Sequence, residues 1–215
     1  MKDVFYNRLS VETKPFKMIL FDMGNVLVDF VPMRFCAEIT SDPKHISELM
    51  YGVFYTQAWM DLDEGIITEE IALKRILEGL PVSHHADARE LFERWDTLMS
   101  QKEAMLPILD RLKEKGYRLV LASNASVRYH RYIQRLSIFN AFETLYYSCD
   151  LKCSKPNPQF FQSILKREKL NADEILFVDD SLANCTAAHH LGMSTYPFNG
   201  DVNAFEETLE KMHVI

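Results

Sequence analysis

The sequence predicts an α/β fold: a three-layer core built on a parallel sheet, with an all-helical segment inserted after its first strand. Two observations predict it. Five short apolar, β-branched or aromatic runs, bounded by polar residues, alternate with helical patterns over most of the 215 residues. Strand and helix alternating in this way give parallel strands joined by right-handed crossovers. Between the first run and the second, from about residue 30 to 101, only helical periodicity is found.

The first strand is expected at 18–22 (MILFD), apolar up to Asp22, which is the pattern of a strand buried on both faces. Within the insertion, 68–79 (TEEIALKRILEG) and 86–99 (ADARELFERWDTLM) carry apolar residues at helical spacing, with Thr68 as an N-cap. Residues 61–64 (DLDE) read as a loop between two of its helices, because the twelve-residue calcium spacing with a closing Glu is absent. Phe54, Tyr55 and Trp59 are expected in the core, with ligand contact as the alternative for any one of them. The boundaries fall at 1–29 and 102–215 for the core and 30–101 for the insertion.

Past the insertion, helix 102–115 stops at Gly116, a good C′ residue, and strand 117–123 (YRLVLAS) follows. A third strand is expected at 144–148 (TLYYS). Helix 157–169 opens with Asn-Pro, an N-cap followed by proline at N1. Strand 175–179 (ILFVD), helix 181–191 ending at Gly192, strand 194–198 (STYPF) and an amphipathic helix at 204–213 complete the core. Residues 1–16 precede the first strand, and two arrangements are expected for them: packing on the core, or packing on a second subunit in a homodimer.

Composition excludes some partners. The net charge of −7 carries no basic stripe, so no nucleic acid partner is expected. No apolar stretch approaches the ~20 residues that cross a bilayer, so no membrane partner is expected either. Cys36, Cys149, Cys153 and Cys185 occur without an apolar leader in 1–17, which points to reduced thiols and a cytoplasmic location. Cys149 and Cys153 have no second Cys or His pair at zinc spacing. The adjacent pairs His84-His85 and His189-His190 point to different helix faces and cannot chelate one metal together.

The chemistry collects at the carboxyl ends of the strands. The first strand ends at Asp22, before a Met23-Gly24-Asn25 turn; the second ends at Ser123-Asn124; the fourth ends at Asp179-Asp180; and Lys155 lies in SKPNP after the third. In an open parallel sheet these loops share a crevice where strand order reverses. Each residue alone reads equally as a helix cap. Together, converging carboxylates repel one another and raise their pKa values unless a cation sits among them. Mg²⁺ suits such a site, being hard and binding through a few carboxylates while keeping waters and substrate phosphate. With a lysine, a hydroxyl and N–H groups forming an anion cradle, the set fits phosphoryl transfer through an aspartyl-phosphate.

FDMGNVLVDF, LASN, SKPNPQFF and FVDDSLANCTAAHHLG resemble, in order, the four motifs of the haloacid dehalogenase (HAD) superfamily, and the helical insertion resembles its C1 cap. The likeness covers about residues 17–198 and implies a Rossmann-like core. Within the superfamily it is nearest to the sugar-phosphate phosphatase branch that includes α-D-glucose-1-phosphate phosphatase, whose first motif also reads Asp-x-Gly-Asn-Val. The resemblance implies that Asp22 is the nucleophile and a Mg²⁺ ligand together with the Gly24 carbonyl. Ser123, Asn124 and neighbouring N–H groups would hold the phosphoryl group, Asn25 would contact substrate, and Lys155 would steady both nucleophile and phosphate. Asp180 matches the usual metal carboxylate and Asp179 is a second candidate, while Asn184 stands one layer behind.

One position departs from the pattern. Most phosphatases of the superfamily carry an Asp two residues after the nucleophile as general acid and base; here that residue is Gly24, and such help is worth about 10²–10⁴-fold. The leaving group then needs little protonation, or a group from the insertion or a metal-bound water substitutes, or activity is weak. The expected function is Mg²⁺-dependent hydrolysis of a small phosphorylated metabolite, sugar phosphates first, under a closing cap. The alternatives are a non-catalytic protein that binds such a metabolite, and a 2-haloacid dehalogenase. The latter has no use for two adjacent Asp at 179–180 without a cation.

Overall fold

The structure is a computed structural model that describes residues 16–215. The packing expected of the N-terminal extension therefore lies, for residues 1–15, outside the described residues. After β1 (Met18–Phe21) the chain turns and forms a two-residue strand, β2 (Val28–Asp29), paired antiparallel with β3 (Ser100–Gln101). The strands β4 (Arg118–Ser123), β5 (Thr144–Tyr147), β6 (Ile175–Asp179) and β7 (Ser194–Pro197) join β1 in one parallel sheet of order β5-β4-β1-β6-β7. Phe21 faces Leu121 of β4 on one side and Val178 of β6 on the other. The chain runs outward from β1 through β4 to β5, then returns to lay β6 on the opposite flank. Strand order thus reverses beside β1, and the crevice past the carboxyl ends of β1, β4 and β6 is the natural ligand site of such a sheet.

Between β2 and β3 lie α1 (Pro32–Ala37), α2 (Pro43–Val53), α3 (Gln57–Asp63), α4 (Glu69–Glu78) and α5 (His85–Arg94). Thr68 caps α4 as expected, its hydroxyl accepting the Ile71 N–H at 3.3 Å. Three expectations need correction. Residues 61–63 are not loop but the last turn of α3, whose Thr56 N-cap accepts the Trp59 N–H at 3.1 Å. The helix expected over 86–99 tightens into a 3₁₀ turn at Trp95–Leu98, with Met99 extended. Residues 100–101 are strand rather than part of an all-helical run.

The core helices are α6 (Leu106–Glu114), α7 (Tyr129–Tyr132), α8 (Ser148–Leu151), α9 (Pro158–Glu168), α10 (Leu182–His190) and α11 (Val202–Lys211). Gly116, at φ +81°, ends α6 in a left-handed cap: its N–H reaches the Lys113 carbonyl at 2.9 Å, and that of Tyr117 reaches Leu112 at 3.1 Å. The Asn157 side chain accepts from the Gln159 N–H at 3.0 Å and starts α9. Alternate residues of β1 feed two cores. Met18 and Leu20 pack with Phe160, Phe161 and Ile164 of α9, while Ile19 and Phe21 join a larger cluster that runs into the aromatic side chains of α3 and α5. Each fully buried aromatic or aliphatic side chain here contributes roughly 1.5–3 kcal/mol.

Arg128, 5% exposed, fastens the inserted helices to the core. Its Nε donates to Glu69 Oε1 at 2.5 Å, Nη1 donates to the Phe92 carbonyl, and the guanidinium lies 4.8 Å from the centre of the Phe92 ring. All four cysteines are buried and unpaired. Among the described residues no helix is long and apolar enough to cross a membrane.

Candidate active site

Asp22 is the first residue past β1, and its N–H still donates to the Val178 carbonyl at 2.8 Å, so the sheet ladder fixes where its side chain starts. Asp179 closes β6 and Asp180 follows it. Oxygens of Asp22, Asp179 and Asp180 lie within 4.8 Å of one another. Lys155 reaches in from the loop before α9. Its Nζ donates to Asp22 Oδ1 at 2.6 Å, Asp179 Oδ2 at 2.7 Å and the Ala122 carbonyl at 2.7 Å, using all three ammonium protons. Asp179 is fully buried, and Lys155 is almost so. The four groups cluster where the topology reverses, and Asp22, Lys155, Ser123 and Gly24 line one cavity of about 150 Å³.

Three carboxylates against one ammonium leave a formal charge of −2 in a mostly buried cluster. Burial pushes the Asp22 carboxyl up to about 7; Lys155 opposes the shift, and Asp179 and Asp180 add to it. Burial likewise raises Asp180, with the Asn25 hydrogen bond opposing and Asp179 adding. For Lys155 burial works toward deprotonation, but the Asp179 and Asp22 carboxylates outweigh it and hold the ammonium charged. A divalent cation suits this donor set. The oxygens are hard, they converge from two strands, and their excess charge matches the ion.

The haloacid dehalogenase-like hydrolase family model matches residues 16–192. The chain belongs to that family. It is 25% identical over 187 residues to a phosphorylated carbohydrates phosphatase of Thermotoga maritima, covering 81% of each chain. It is 25% identical over 181 residues to a sesquiterpene phosphatase of Aspergillus oryzae, covering 83% of this chain and 87% of that one. Among solved structures, a HAD family enzyme from Bacteroides thetaiotaomicron, in a mutant complex with magnesium and inorganic phosphate, superposes with a TM-score of 0.67 at 25% identity. That match covers 86% of this chain and 95% of the other. An L-2-haloacid dehalogenase shares the fold with a TM-score of 0.70 at 16% identity, covering 92% of this chain and 100% of the other.

In this HAD-like hydrolase the side chains of several expected ligand contacts are engaged with the protein. The Asn25 side-chain amide, expected to meet substrate, donates to Asp180 Oδ2 at 3.0 Å and accepts from the Phe30 N–H at 3.3 Å. Its backbone is left-handed at φ +55°, which Asn tolerates, and this turns the side chain back onto Asp180. Asn124 is similarly engaged: its amide donates to the Lys155 carbonyl at 2.9 Å and accepts the Lys155 N–H at 2.8 Å, so the side chain holds the lysine loop from the cavity wall. The neighbouring Ala125 N–H, expected in the anion cradle, donates to Ser148 Oγ at 2.9 Å. Ser123 lines the cavity, and its hydroxyl makes a long 3.5 Å contact to the Asn124 carbonyl. Asn184 stands behind Asp179 and donates to both of its oxygens at 3.0 and 3.1 Å.

Sequence reasoning missed Asp63, which lines the same cavity from the end of α3. The available signal was its spacing: Trp59 and Asp63 are i and i+4 on one helix, hence on one face, and Trp59 lines the cavity too.

Proposed function

We propose that this HAD-like hydrolase is a cytoplasmic, magnesium-dependent phosphatase that transfers the phosphoryl group of a small phosphorylated metabolite to Asp22 and then to water. The observation that carries this is the convergence of Asp22, Asp179 and Asp180 on one point, with a buried Lys155 ammonium bridging the first two. The three carboxylates and the Gly24 carbonyl would hold the ion. When bound, magnesium supplies positive charge against the phosphoryl oxygens. Asp22 attacks phosphorus, oriented by its bond to Lys155. Lys155 and the Ser123 hydroxyl face the transferring oxygens, and Asn124 keeps the lysine loop in register.

A sugar phosphate is the first substrate class, supported by the carbohydrate phosphatase among the relatives and by the aromatic side chains of Phe30, Trp59 and Trp95 in the cavity wall, which suit the C–H face of a sugar ring. Residues 30–101 act as the cap over a core formed by 1–29 and 102–215. They shield the reacting centre from water. Purified protein given a panel of phosphate esters with Mg²⁺ is expected to release phosphate, and Asp22→Asn is expected to abolish that release. No release across the panel with ligand binding intact would leave a metabolite-binding protein. Halide release from 2-haloacids that survives EDTA would make it a dehalogenase.

A further inference from the structure

Gly24 offers no side-chain acid to the leaving-group oxygen, and the cavity wall holds one carboxyl besides Asp22. We propose that Asp63, presented by α3 into the cavity that also exposes Asp22, Ser123 and Lys155, is the proton donor to the leaving oxygen and then the base that activates water. The inference rests on the phosphatase reading and supplies the group that reading lacks.

Asp63 belongs to the inserted helices but is seated on the core. Ser148 Oγ donates to its main-chain carbonyl, and the Lys152 ammonium donates to the Gly65 carbonyl at 2.7 Å. Gly65 lies at φ +70°, and a Cβ there would stand 2.6 Å from the Cys149 carbonyl, so only glycine lets the end of α3 come this close to α8. The Trp59 side chain and the Ser126 main chain favour the charged form of the Asp63 carboxyl. Among the described residues no cation pairs with it. Burial therefore dominates and pushes the carboxyl up to about 7, where it can give a proton and take one back near neutrality.

The steps balance. As the Asp22 oxygen bonds to phosphorus, the bond from phosphorus to the leaving oxygen breaks, and that oxygen keeps the electron pair and takes the Asp63 proton. Water then bonds to phosphorus and gives its proton to the Asp63 carboxylate. The Asp22–phosphorus bond breaks, releasing inorganic phosphate and restoring both residues.

The test compares an alkyl phosphate, whose leaving oxygen needs a proton, with 2,4-dinitrophenyl phosphate, whose leaving oxygen does not. Asp63→Asn, which keeps size and hydrogen-bonding capacity, is expected to lower the alkyl-to-aryl ratio of kcat/KM by about 10²–10⁴. A uniform loss on both esters would mark a structural role and overturn the proposal, as would an unchanged ratio. Asp22→Asn run in parallel separates the two readings. Aryl turnover that needs Asp22 while the ratio ignores Asp63 removes this inference alone, whereas no turnover of either ester by the wild type removes both.

Discussion

Lys155 donates hydrogen bonds to Asp22, Asp179 and the Ala122 carbonyl, and its charge offsets part of the repulsion between the two buried acids. The arrangement has no counterpart at Gly24. A Cβ built there meets only Phe30 Cβ at 3.8 Å, an ordinary contact, and the backbone needs no left-handed angle. Gly24→Asp is therefore expected to fold normally and to raise kcat on alkyl phosphates, by up to about 10²-fold when Asp63 is absent, measured as phosphate release in the Asp63→Asn background. At this scale the sequence was partly legible. Asp22, Ser123, Asp179 and Asp180 stand out because each ends or directly follows a strand, and Lys155 because it lies in the loop just ahead of the Asn-Pro start of α9. The protein partners of Asn25 and Asn124 were not legible, because an amide shows no sign in sequence of which groups it will bond. Asp63 was hidden for a different reason: its bonds to Ser148 and its neighbour's to Lys152 span 85 and 87 residues.

Among the elements, strands were read to within a residue or two, because a continuous apolar run ended by a polar residue admits few placements. Two-residue strands such as β2 and β3 carry no periodicity, and α1, α2 and α3 were not resolved singly, although Asp42-Pro43 ahead of α2 is the same cap signal that Asn157-Pro158 gives α9. The element whose energetics matter most for closure is the start of α7, where Arg128 ties α4 and α5 to the core. Removing that charge strands Asp96, itself buried with Nη1 of Arg128 3.7 Å away, and frees the Phe92 carbonyl. Arg128→Met is expected to cost about 3–5 kcal/mol in urea unfolding, far beyond an exposed ion pair. A loss below 1 kcal/mol would mean that the helices are held by apolar packing alone.

For the molecule as a whole, the excess negative charge at the sheet edge is expected to couple folding to cation binding. An ion that binds only the folded chain stabilises it by RT ln(1 + [L]/Kd), about 2.7 kcal/mol at a hundredfold excess over Kd. Thermal unfolding of chelator-stripped protein is expected to shift upward with added Mg²⁺ and to lose most of that shift in Asp180→Asn. Asp180 is the exposed member of the trio, so its replacement leaves the buried Asp22–Lys155–Asp179 bonds in place and isolates metal binding from folding. An unshifted midpoint in the wild type would remove the metal from the mechanism.

The short ribbon of β2 and β3 carries both passages of the chain between the sheet and the inserted helices. Both chain crossings run side by side there, zipped by the Val28–Gln101 and Asp29–Ser100 pairs and by the Lys102 N–H on the Leu27 carbonyl at 2.8 Å. Two strands joined in this way act as one tether, in which neither crossing can slide along the other without breaking the pairing. The contacts made by Arg128, Ser148 and Lys152 join the same helices to the core away from the ribbon, so the two chain crossings are not their sole attachment.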